Sequence, residues 1–182
     1  EIETAVAAIG AKQVVILPNN RNIIPAATIA QKHSEKDVFI LPTEHVVQGL
    51  SAAYGYSDNL SAGPNLEGMR DCLDMADYFS VYQATETTQF HQTTIHAGAY
   101  FVVHRDQILA TAELLVATVA QVLESFATPV SDRSNLTIFA GVPAEEQQLA
   151  ELEIGLRSRY RHLEVERYYG GQKRETVMVS VE

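Results

Sequence analysis

The 182 residues are 46% hydrophobic and carry a formal charge of −10, with an isoelectric point near 5.0. Such a chain can bury one substantial core. Its acidity argues against nucleic acid or an anionic membrane as partner, because holding phosphates takes clustered positive charge. The charge is uneven, since residues 157–182 hold six Lys/Arg against four acids. That mildly basic stretch reads as a solvated face rather than a docking patch. Cys72 is the single cysteine, which excludes an internal disulfide or a multi-cysteine zinc site and suits a reducing cytoplasm. With Met69, Leu73 and Met75 around it, Cys72 reads as a buried helical thiol.

The chain opens without methionine, inside an apparent helix from Glu1 to Ile9. It is therefore read as part of a longer multidomain protein, with no targeting leader in view. Two near-identical apolar runs follow, VVILP at Val14–Pro18 and VFILP at Val38–Pro42. Both are short, continuous and rich in β-branched residues, as strands covered on both faces are. Between them, Asn22 is a plausible N-cap, Pro25 falls in a first helical turn, and Ile23, Ala26/Ala27 and Ala30 supply an apolar face. Strand, helix and strand make a right-handed βαβ unit.

Thr43 is then expected to cap a short helix ending near Gly55, and Asn65 to cap a helix running to Met75. From Tyr78 the chain turns rich in Thr, Tyr, Phe and Val, which suits antiparallel strands turning near His91–Gln92 and Ala97–Gly98. A long amphipathic helix over 107–126 is expected next, with Ala112, Leu115, Val116, Val119, Val122, Leu123 and Phe126 on one side. Glu113, Gln121 and Glu124 interrupt it, so it does not read as a membrane span. Leu136–Ala140 is a strand followed by a helix with a stripe of Leu149, Leu152, Leu156 and Tyr160. Pro143 lies near its first turn, and Glu145 and Glu146 favour its positive end. Two strands, LEVERYY and TVMVSVE, close the chain around GGQKRE. The expected fold is α/β, a parallel βαβ core with flanking helices plus an antiparallel or mixed strand portion. One domain over 1–182 is expected, divisible into lobes 1–80 and 81–182.

No GxxxxGK[ST], GxGxxG, GxSxG or HExxH motif is present, so no phosphate loop, dinucleotide fingerprint, nucleophile elbow or zinc helix is expected. No catalytic or metal-ligating set is assigned. His91 and His96 flank an expected hairpin and form a weak alternative site, in which one histidine captures a carbonyl substrate. The stronger candidate follows from topology. Both βα loops of a parallel unit emerge at the carboxyl edge of the sheet, where ligands of open α/β sheets bind. Asn19, Asn20, Thr43, Glu44, His45, Gln48 and Gly49 are therefore expected to gather on one crest. Capping explains Asn22 and Thr43 without any function; it leaves Asn19 and Asn20 open between a turn and a binding role.

The segments VVILPNNRNIIPAA, VFILPTEHVVQGLSA and YYGGQKRETVMVSVE resemble the C-terminal domain of bacterial Dak-type fatty-acid kinases, which form a dihydroxyacetone-kinase-like family. The resemblance implies a DegV-type α/β fold akin to that of a fatty-acid carrier protein. It implies a cytoplasmic parent whose separate N-terminal domain binds ATP and Mg²⁺ and phosphorylates a fatty acid presented by that carrier. The present segment would then dock the carrier and contact other domains of its own chain without transferring phosphoryl groups. This sequence departs from the family pattern at Glu44–Val47, at Glu86–Thr87 and at Gly98–Ala99. A dihydroxyacetone-type substrate domain using a histidine and a self-association module are the competing readings.

Overall fold

The computed structural model describes residues 1–73, 75–90, 92–104, 107–126 and 129–182. The chain divides into two compact units, 1–76 and 77–182.

In the first unit, α1 (Ile2–Ala8) leads to β1 (Gln13–Ile16), α2 (Ile24–His33) and β2 (Asp37–Ile40). The strands pair in parallel, Val14 beside Val38 and Ile16 beside Ile40, so the two near-repeats form the expected βαβ unit. Only Val14 and Val38 are fully buried in these strands, and they pack with Val6 of α1. The Lys36 ammonium donates to the Val6 (2.8 Å) and Ala7 (3.1 Å) carbonyls and to that of Ile9. It thereby satisfies the carbonyls left open where α1 ends. Gln31 Nε2 donates to the Val38 carbonyl at 2.6 Å, tying α2 to β2. The inner side of α2 is Ala27 and Ala30, whereas Ile23 is 40% exposed and Ala26 faces out. The expected apolar face is therefore narrower than its sequence suggests.

Two helices complete this unit, α3 (Val46–Tyr54) and α4 (Ala62–Asp71). Asn65 does not cap α4; Ser61 holds that position without a side-chain bond. Asn65 is instead buried inside the helix and grips the preceding loop. Its Oδ1 accepts the Ser57 N–H (2.8 Å), and its Nδ2 donates to the Ser57 (2.9 Å) and Leu60 (3.0 Å) carbonyls. The helix stops at Asp71, so Cys72 is its half-buried C-cap rather than an interior thiol.

The second unit is a six-stranded sheet in the order β7-β6-β3-β10-β8-β9. Its strands are β3 (Asp77–Gln83), β6 (Tyr100–His104), β7 (Gln107–Ala112), β8 (Asn135–Ala140), β9 (Glu164–Tyr169) and β10 (Val177–Val181), and a hairpin of β4 (Thr88–Phe90) and β5 (Thr93–Ile95) stands apart from it. Only β8 and β9 run parallel; the other neighbours are antiparallel. The helix expected over 107–126 is thus a strand followed by a shorter helix, α5 (Leu115–Ser125). Pairing of Val102 with Ala110 overrode a 3.6-residue pattern that Leu109 and Ala112 happened to extend.

Helix α6 (Glu146–Arg159) opens with a capping box between Glu145 and Gln148, leaving Pro143 in the turn before it. Leu149, Leu152, Leu156 and Tyr160 are all buried, as the stripe predicts, and join α5 and the sheet in one core. Where the helices meet, Gly155 leaves no room for a side chain, since a Cβ would lie 2.6 Å from Val116 Cγ2. The central strand β10 is buried along its full length.

Replacing Asn65 by Ala strands the Ser57 and Leu60 backbone groups and should cost about 1–3 kcal/mol, read as a lower urea midpoint at unchanged m-value. Gly155→Leu should cost a comparable 1–3 kcal/mol or so by forcing α5 and α6 apart, checked by thermal unfolding.

Candidate functional site

Both βα loops of the first unit emerge at the carboxyl ends of β1 and β2, and their side chains meet there. The Asn19 N–H donates to Thr43 Oγ1 at 2.9 Å, and the Thr43 hydroxyl donates back to Asn19 Oδ1 at 2.9 Å. Asn19 is the one described non-glycine residue with positive φ (55°), a conformation that asparagine tolerates better than most residues. Its amide lies so close to Gly49 of α3 that a Cβ on Gly49 would overlap the Asn19 side-chain oxygen and come within 2.8 Å of its Cγ. Thr43 is fully buried. Asn19, Thr43 and Gly49 therefore form a reciprocal lock between the two loops.

This reverses the division expected from capping. Asn22 caps nothing: Ile23 is the N-cap position of α2, with no side-chain bond. Asn20 makes a local turn, its Oδ1 accepting the Asn22 N–H at 2.9 Å. Thr43 is not the cap of α3 either. His45 is, with Nδ1 accepting the Val47 N–H at 3.2 Å. Gln48 Oε1 reaches back to the Glu44 N–H at 2.8 Å. Arg21 and Glu44, both about half exposed, form an ion pair of 3.3 Å across the two loops. Asn20, Arg21, Asn22 and Glu44 face outward, while Asn19, Thr43 and Gly49 are turned inward or partly so. Of the seven crest residues named from sequence, Asn19 meets Thr43 and Gly49 across the loops and Glu44 pairs with Arg21, while Asn20, His45 and Gln48 make bonds within their own loops. The αL backbone of Asn19 and the contact at Gly49 carried no signal beyond the residue types themselves.

Of the histidine alternative, His91 lies outside the described residues. His96 is exposed, and its carbonyl accepts the Ala99 N–H in the turn before β6. Burial pushes the phenols of Tyr82, Tyr100 and Tyr160 above their ordinary range, which removes them as bases near neutral pH. Among the described residues, no group of three or more His, Cys, Asp or Glu is arranged to hold a metal ion, and no helix is long and apolar enough to cross a membrane.

Comparison with known proteins sets this geometry in a family. The family model for the FakA-like C-terminal domain of fatty acid kinase matches residues 1–182. Protein YloV of Bacillus subtilis is 29% identical over 182 residues, all of this chain and 32% of that protein. An uncharacterized protein of Staphylococcus aureus (strain USA300) is 27% identical over 171 residues, 94% of this chain and 31% of its own length. The chain thus spans about a third of the curated relatives it matches. Among solved structures, the dihydroxyacetone kinase of C. freundii in complex with AMP-PNP and Mg²⁺ has a TM-score of 0.64 at 12% identity, covering 99% of this chain and 40% of that one. A DegV family protein from Thermus thermophilus, described as fatty-acid binding, has a TM-score of 0.60 at 9% identity, covering 98% and 74%. At such identities these two likenesses establish the α/β fold shared with dihydroxyacetone kinase and DegV proteins. The match along the full chain goes further: the protein belongs to the family of FakA-like C-terminal domains of fatty acid kinase.

Proposed function

We propose that this domain docks a separate fatty-acid-carrying protein through the crest of residues 19–22 and 43–49, and performs no phosphoryl transfer itself. In this reading ATP and Mg²⁺ belong to another domain of the parent protein. The observation that carries it is the family match over residues 1–182. The likeness to a fatty-acid-binding DegV protein supports a partner of the same kind.

The crest is suited to recognition rather than to chemistry. Its buried half, Asn19–Thr43–Gly49, fixes the loop backbones before any partner arrives. A prefixed surface loses little conformational entropy on binding. Its outer half presents amides, a guanidinium and a carboxylate. These choose a partner by hydrogen bonds and charge, and none of them is placed as an activated nucleophile. The donor set offers no glycine-rich phosphate cradle and no cluster of carboxylates for Mg²⁺, so ATP does not fit the crest.

The two halves give separable outcomes. Asn19→Ala removes the side-chain acceptor of the Thr43 hydroxyl and leaves alanine in a left-handed backbone; it should cost about 1–3 kcal/mol of stability, seen in chemical denaturation. Asn20→Ala combined with Glu44→Ala, on the exposed side, should leave the melting temperature nearly unchanged. In the full-length parent it should weaken calorimetric binding of the fatty-acid-loaded carrier by about tenfold. Undiminished carrier binding after deletion of residues 1–182 from the parent would overturn the proposal.

A further inference from the structure

The six-stranded sheet ends in β9, and no strand among the described residues pairs with its outer side. The direction of its peptide groups can be read from two bonds. Glu164 N–H donates to the Ser134 carbonyl and Gly170 N–H to the Ala140 carbonyl, each at 2.8 Å. Even-numbered residues therefore turn their peptides toward β8, and Val165, Arg167 and Tyr169 turn theirs outward. The Val165 carbonyl is already taken by Arg157 Nη2 at 2.8 Å. The outward peptide groups of Arg167 and Tyr169 are consequently the open part of the edge.

That open part adjoins a groove of about 460 Å³ between the end of β9 and the start of α6. Ala140, Ala144 and Leu149 lie along it beside Val142 and Tyr169, which are 59% and 79% exposed. Arg167 borders the groove. Its Nη2 meets Glu146 at 2.9 Å and its Nε meets Glu153 at 2.8 Å, while its Nη1 is buried with no hydrogen-bond partner. The surrounding charge selects the occupant. Arg167 and Arg157 are engaged by Glu146 and Glu153, which leaves the exposed carboxylates of Glu145, Glu164 and Glu166 to face a ligand.

We infer that the β9 edge and its groove form a docking site for an extended basic peptide. The peptide hydrogen-bonds to the outward peptide groups of Arg167 and Tyr169, seats one apolar side chain in the groove and sets its lysines or arginines against the glutamates. Strand addition of this kind takes affinity from main-chain bonds and selectivity from alternate side chains. The site is separate from the crest, and does not depend on the function proposed for it.

Titrating the isotopically labelled 182-residue chain with acetylated, amidated Val-Lys-Phe-Lys-Val-Lys tests the inference by amide chemical shifts. The expected result is a saturable shift confined to residues 140–149 and 164–170, reduced by added salt. Glu164→Lys with Glu166→Lys should weaken binding by about tenfold, and Ala144→Phe, which fills the groove, by a similar factor of about ten. Thermal melts confirm that both variants stay folded. Absence of shifts with the basic peptide at millimolar concentration, shifts centred elsewhere, or equal binding of the Val-Glu-Phe-Glu-Val-Glu counterpart would each overturn it.

Discussion

The reciprocal bond pair between Asn19 and Thr43 is the constraint on which the first unit depends. A parallel pair of four-residue strands has few ladder bonds of its own, and parallel pairing is slightly the weaker kind. Joining the loops beyond both strands adds two hydrogen bonds in a partly buried place, where each is stronger than in water. The same contact brings α3 close, because Gly49 leaves space for the Asn19 amide. One side chain thus sets the loop conformation, the spacing of the strand ends and the seat of a helix.

Neighbouring residues of the same short segment are turned in opposite directions. Asn19 turns inward and Asn20 outward, and the positive φ of Asn19 lets the chain change direction between them. Arg21 and Glu44 then bridge the loops on the solvent side. An exposed pair of this type contributes little to stability, and it holds two opposite charges beside each other on the solvent side. Substitutions at adjacent positions here should therefore have unlike phenotypes, which a sequence profile alone would blur.

The elements legible in the sequence were those with one dominant signal. The paired apolar runs at Val14 and Val38 gave the parallel unit, and the Leu149–Tyr160 stripe gave α6. What escaped was decided by partners distant in sequence. Residues 107–112 carry a helix-like pattern yet pair with β6, since tertiary pairing outweighs local preference. Asn22, Thr43 and Asn65 are all good caps by residue type, but none of them caps. Each cap assignment assumed a helix starting where the polar residue stood, and the helices begin elsewhere. The crest was legible as a gathering of residues because topology alone forces the two loops together. Which of its members face inward was not, because that depends on a backbone angle and on a helix contact.

The place of β10 in the sheet also governs how the second unit is made. Val177 pairs with Val81 on one side and with Ala140 on the other, so the strand at the middle of the sheet is the last to be synthesised. Strands β3 and β6 can join early, and so can β8 and β9, but the two halves have no shared neighbour until Val177–Val181 emerges. Until then both present an unpaired inner edge, a feature prone to wrong association. The first unit, built from contacts closer in sequence, can be finished by that time. Synthesis thus gives this chain a vulnerable interval that ends only when residue 181 is free, and a chaperone would have most to do there.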